Sequence, residues 1–148
     1  MRVPAYSVTL LIVIGVYAVL SGCAPRTALV AQTKPAPPLF VNLTSDDAHR
    51  VRMALNFARI YQERGHPVTV FLNDKAVHVA SKTEATKFAE QQNTLSTLAA
   101  QGAVVLVCPM CMKHYGVQES NLLPGLRVAD ADKVGQHLFH PDTRTLSW

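Results

Sequence analysis

AVVLVCPMCMKHYG, residues 103–116, is the stretch whose reading decides the fold. Its first five residues are apolar without interruption and rich in β-branched side chains. A strand with one wet face would alternate, so this run predicts a central strand covered on both faces. The run leads straight into Cys108. Pro109 then favours the first position of a helix, where its missing N–H has no intrahelical partner to lose. The stretch therefore reads as strand, cysteine, helix, with Cys108 at the N-cap and Cys111 in the first turn.

Working upstream, LFVNL (residues 39–43) is a short strand followed by the cap-rich Thr44-Ser45-Asp46-Asp47. Over residues 47–64 apolar side chains recur at helical spacing, with Val51, Ala54, Leu55, Ala58 and Tyr61 on one stripe and Phe57 and Ile60 at its edges. Gly65 ends that helix. PVTVFL (residues 67–72) is a second strand closed by Asn73-Asp74, and a short apolar piece follows at residues 76–80. Residues 83–101 read as a helix burying Phe88, Leu95, Leu98 and Ala99, with Gly102 as its stop. Downstream come a short helix to about Tyr115, a strand at residues 126–129, a helix at residues 130–138 and a last strand at residues 145–148. Strands alternating with helices predict an α/β three-layer sandwich, with a mostly parallel sheet of about five strands and helices on both faces.

The amino-terminal part reads differently. VTLLIVIGVYAVL (residues 8–20) is too short for a comfortable membrane span of about 20 residues and has the length of a signal-peptide core. LSGC, residues 20–23, resembles the bacterial lipoprotein signal, in which the cysteine is lipidated and becomes the new N-terminus. The expected organisation is a signal peptide over residues 1–22, lipidated Cys23 with a proline-rich tether over residues 23–38, and one α/β domain over residues 39–148. Two or more acyl chains hold a protein on a bilayer where one would not. The expected location is the cell envelope on the periplasmic side, with the outer membrane favoured because Ala24, and not an aspartate, follows Cys23.

Cleavage there would remove only Arg2 among charged residues, leaving 13 basic against 10 acidic side chains. The basic residues are scattered singly, which argues against a nucleic-acid footprint.

In open α/β sheets the chemistry collects at the carboxyl ends of the strands, where Cys108 lies. The unpaired amides at a helix start favour thiolate over thiol, and the thiolate is the nucleophile in sulfur transfer and disulfide exchange alike. Cys108 and Cys111 are therefore the candidate catalytic pair. Lys113 and His114 are candidates to support the thiolate, and His49 to line the rim of the site. Two other readings stand beside this one. Cys108, Cys111 and His114 have soft-ligand chemistry suited to copper or zinc, although no second motif completes a four-ligand set. Alternatively, both cysteines are inert buried hydrophobes in an interaction domain. No cofactor is expected.

The segments GHPVTVFLNDKAV (residues 65–77) and VVLVCPMCMKHYGV (residues 104–117), after a first strand and helix, resemble the DsrE/DsrF-like family, which includes sulfur-relay proteins. In relay members a cysteine follows the third strand and a glycine stands eight residues later, an offset kept by Cys108 and Gly116. Gly65, His66 and the strand end at Asn73-Asp74 also fit. The resemblance implies a persulfide-carrying cysteine at Cys108, a homo-oligomer, and a sulfur donor or acceptor protein as partner. Cys111 lies outside the simplest relay pattern, and it has the chemistry to resolve a persulfide on Cys108.

Overall fold

The computed structural model describes residues 35–148. The expected signal peptide, the lipidation site Cys23 and most of the tether lie outside the described residues. Within them, the strands are β1 (Leu39–Leu43), β2 (Val68–Leu72), β3 (Val104–Val107), β4 (Arg127–Val128) and β5 (Arg144–Ser147). The α-helices are α1 (Ala48–Glu63), α2 (Ala85–Ala100), α3 (Pro109–Tyr115) and α4 (Ala131–Leu138). Every strand pair is parallel and the order is β4-β3-β2-β1-β5. The expected α/β sheet of about five strands is present, wholly parallel.

The strand order decides where the helices go. From β1 to β4 the chain steps outward one strand at a time, so right-handed crossovers put α1 and α2 on the same face. The return from β4 to the far edge at β5 carries α4 over the opposite face. Side chains agree. Val41, Leu43, Val70, Leu72, Val105 and Val107 join Val51, Leu55, Phe88 and Leu95 in one buried cluster. Phe40 and Phe71, offset by one residue and hence on the other face, line a hollow with Val134 and Leu138 of α4.

The expected stripe on α1 is buried at Val51, Ala54, Leu55 and Ala58, with Asp47 accepting the Arg50 N–H as its N-cap. Helix α2 is kinked at Phe88 and buries two glutamines that apolar periodicity does not single out. Both have partners: Gln91 donates to the Ala48 carbonyl at 3.0 Å and Gln92 to the Ser81 carbonyl at 2.7 Å. The apolar piece after β2 is a 3₁₀ helix, Asp74–Ala80, with Ala76, Val77, Val79 and Ala80 buried.

The last residues of the expected tether are bound to the domain. The Pro37 carbonyl lies 2.7 Å from His66 Nδ1, and the Pro38 carbonyl accepts the Arg144 N–H at 2.8 Å. Among the described residues no helix is long and apolar enough to cross a membrane.

Candidate functional site

Cys108 is clamped at the backbone by the sheet and a helix. Its N–H donates to the Leu72 carbonyl at 2.9 Å, extending the β2–β3 ladder by one residue, and its carbonyl accepts the Met112 N–H at 2.9 Å. It is the N-cap of α3, in an extended conformation, with Pro109 at the helix start. Helix α3 ends at Gly116, whose φ of 73° lies in the left-handed region that glycine enters without steric cost.

The side chain departs from expectation. Cys108 Sγ accepts no capping hydrogen bond from the amides of α3. Sulfur is a weak hydrogen-bond acceptor. Cys108 is only 6% exposed. It lines a hollow of about 450 Å³ with Phe71, Met110, Val134, Leu138 and Phe139. Met110 and Phe139 stand at 78% and 82% exposure, so the hollow has apolar edges open to solvent.

The sulfur that does receive a peptide N–H is that of Cys111. Asp74, the first residue of the 3₁₀ helix, donates its N–H to Cys111 Sγ at 3.1 Å, and its carboxylate accepts the Tyr115 hydroxyl hydrogen bond. Burial pushes the Cys111 thiol up from its ordinary value of 9.0, and the neighbouring Cys108 sulfur pushes it further. The Asp74 N–H works against that rise while the Asp74 charge adds to it. Both cysteines are free thiols, Cys108 buried and Cys111 partly so.

Lys113 and His114 occupy the last turn of α3, where positive charge complements the helix carbonyls, and the His114 ring stacks edge-on against Tyr115 at 4.7 Å. His49 is exposed near the start of α1 and lies 3.4 Å from Arg52 Nη2. Among the described residues no group of three or more His, Cys, Asp or Glu side chains converges as a metal site, so Cys108, Cys111 and His114 do not form a ligand set.

Two participants were not singled out by the sequence reading. Tyr115 had a signal, because it stands four residues after Cys111 and shares its helical face. Asp74 had the weaker one of following Asn73 at a strand end. The wall that α4 supplies to the hollow had none, since it depends on which face the last crossover takes.

The DsrE/DsrF-like family matches residues 39–143. An uncharacterized protein of Methanocaldococcus jannaschii is 33% identical over 81 residues, which span 54% of this chain and 71% of that protein. Among solved structures, the ychN protein of E. coli superimposes with a TM-score of 0.65 at 18% identity, covering 76% of this chain and 100% of its own. A protein of unknown function from Methanobacterium thermoautotrophicum gives 0.64 at 17% identity with the same coverages.

Proposed function

The chain belongs to the DsrE/DsrF-like family, and from that premise we propose that it handles sulfane sulfur, with Cys108 as carrier and Cys111 as resolving thiol. One observation carries the reading. The two cysteines share the start of α3 at the carboxyl end of β3, and the first of them borders an apolar hollow through which a donor can approach.

The chemistry is two exchanges. Cys108 thiolate attacks the outer sulfur of a persulfide donor, forming Cys108–S–SH while the donor S–S bond breaks and the donor thiolate leaves with the proton Cys108 lost. Cys111 then attacks the inner sulfur of that persulfide. A Cys108–Cys111 disulfide forms, two thiol sulfurs are oxidised, the outer sulfur is reduced, and it departs as hydrogen sulfide.

Intact mass after treatment with inorganic polysulfide is the test. The wild type should gain sulfur transiently and end as a disulfide, Cys111→Ser should accumulate the one-sulfur adduct, and Cys108→Ser should gain none. Uptake by Cys108→Ser equal to the wild type would falsify the assignment.

The same reading places the domain in the cell envelope on a lipid anchor at Cys23, supported by LSGC at residues 20–23. It also has the domain self-associate, supported by the exposed Met110 and Phe139. Cys23→Ser should move the protein from the membrane to the soluble fraction.

A further inference from the structure

Side chains along β3 alternate between the two faces of the sheet. Val107 joins the cluster under α1 and α2, and Cys108, one residue on, turns to the face covered by α4. Cys111 packs against the main buried cluster, whereas Cys108 stands outside it. Of the two sulfurs, Cys108 alone lines the hollow of about 450 Å³. That volume lies within the range of small-molecule sites, about 300–1,000 Å³.

The walls restrict what the hollow holds. Phe71, Met110, Val134, Leu138 and Phe139 supply hydrocarbon, and besides the thiol the one ionisable wall residue is Asp130. That carboxylate is already engaged: it accepts the Lys133 N–H at 2.7 Å as the cap of α4 and pairs with the Lys133 ammonium at 2.8 Å. Among the described residues that line the hollow, none is lysine, arginine or histidine. Lys113 lines a different hollow of about 340 Å³, with Met112, Gly116 and Glu119, and neither cysteine borders it. A carboxylate entering beside Cys108 would lose water and gain no cation, a cost that uncharged hydrocarbon does not bear. Apolar room also continues past Cys108. A further hollow of about 200 Å³ shares Phe71, Val134 and Leu138 and reaches Phe40 on β1.

We propose that this hollow is the donor subsite of Cys108, and that it takes a small organic persulfide or disulfide with an uncharged alkyl or aryl part in preference to an anionic one. This rests on the carrier role given to Cys108 above and names its substrate class. The hydrocarbon lies against Phe71 and Leu138, between the exposed edges Met110 and Phe139. From a persulfide R–S–SH the Cys108 thiolate takes the outer sulfur: Cys108–S–SH forms, the donor S–S bond breaks, and R–S⁻ leaves and takes up the proton that Cys108 lost. From a symmetrical disulfide the same attack forms Cys108–S–S–R and releases R–S⁻, so disulfides serve as probes.

The test uses the dialkyl disulfides from dimethyl to dibutyl, with dithiodipropionate as the anionic counterpart of dipropyl disulfide. Full-length Cys111→Ser keeps the mixed disulfide on Cys108 for intact mass, and each rate is divided by that of free N-acetylcysteine to remove intrinsic reactivity. The normalised rate at Cys108 should climb along the series by up to about fourfold per methylene buried. Dithiodipropionate should fall about tenfold or more below dipropyl disulfide. Cys108→Ser, which leaves Cys111, should show no such climb. Phe139→Ser trims one edge and Ala131→Lys sets an ammonium on the wall, both at exposed positions. The first should flatten the alkyl series and the second should speed dithiodipropionate severalfold. Rates independent of alkyl length, dithiodipropionate as fast as dipropyl disulfide, or a series untouched by both substitutions would each overturn the proposal. So would labelling that slows with every reagent as protein concentration rises, because a second copy would then cover the hollow. Failure here is separable from failure of sulfur handling. Inorganic polysulfide carries no hydrocarbon, so its uptake tests the chemistry of Cys108, whereas the alkyl series tests the subsite.

Discussion

The two faces of the sheet are built to different standards. Under α1 and α2, Val41, Leu43, Val51, Leu55, Val70, Leu72, Phe88, Leu95 and Leu98 are all fully buried. The opposite face has only α4, a helix of eight residues with none buried, and it leaves Phe71 half-covered and Phe139 exposed. Cohesion is concentrated on the first face. Cys108 opens towards the second, where it lines the hollow bordered by α4. The comparison teaches that one sheet can separate stability from access by assigning each to a side.

Truncating the well-packed face should break this division most visibly. Phe88→Ala, at the kink of α2, should cost about 3–5 kcal/mol in denaturant unfolding, as for other fully buried aromatics. Leu138→Ala on α4 should cost about 1 kcal/mol, because that side chain is already half-exposed and little apolar area is lost. Equal losses for the two would erase the contrast. The hollow beside Cys108 should widen in Leu138→Ala, so labelling of Cys108 by an apolar alkylating reagent should quicken.

The smallest effect belongs to the charged seam of the packed face. The Lys87 ammonium, 2.7 Å from the Asp46 carboxylate, holds the Asp46 carboxyl below its ordinary value of 3.8. A carboxyl depressed in the folded state adds stability that is present above its unfolded value and fades as pH falls through the folded one. Asp46→Asn should therefore lose well under ~1 kcal/mol at neutral pH, since both partners are partly exposed. The gap to wild type should close below about pH 4. Urea midpoints across that range would show it, and a gap that persisted in acid would exclude the ion pair as its source.

Most of the fold was legible because it rests on local patterns. Runs rich in β-branched residues marked β2 and β3, and 3.6-residue spacing marked the buried stripe of α1. The proline after Cys108 marked the start of α3. The site was legible in part. The position of Cys108 followed from the strand–helix junction, but the direction of its sulfur did not. Sequence chemistry favoured the amides of α3, whereas the structure leaves that sulfur uncapped and gives Cys111 a peptide N–H from Asp74. Gln91 and Gln92 were missed for a related reason: their burial is compensated by carbonyls 43 and 11 residues away.

By itself the sequence determined an α/β domain with a cysteine at the end of its third strand and a second cysteine one helical turn on. Periodicity, β-branching and proline act over a few residues, and neighbours in sequence are enough to read them. Only the tertiary structure decided that β5 pairs with β1 at the far edge, that α4 therefore lies alone on its face, and that the turn after β2 reaches Cys111. Those outcomes depend on strand order and crossover hand, which bring together residues tens of positions apart, and no local spacing encodes such a meeting.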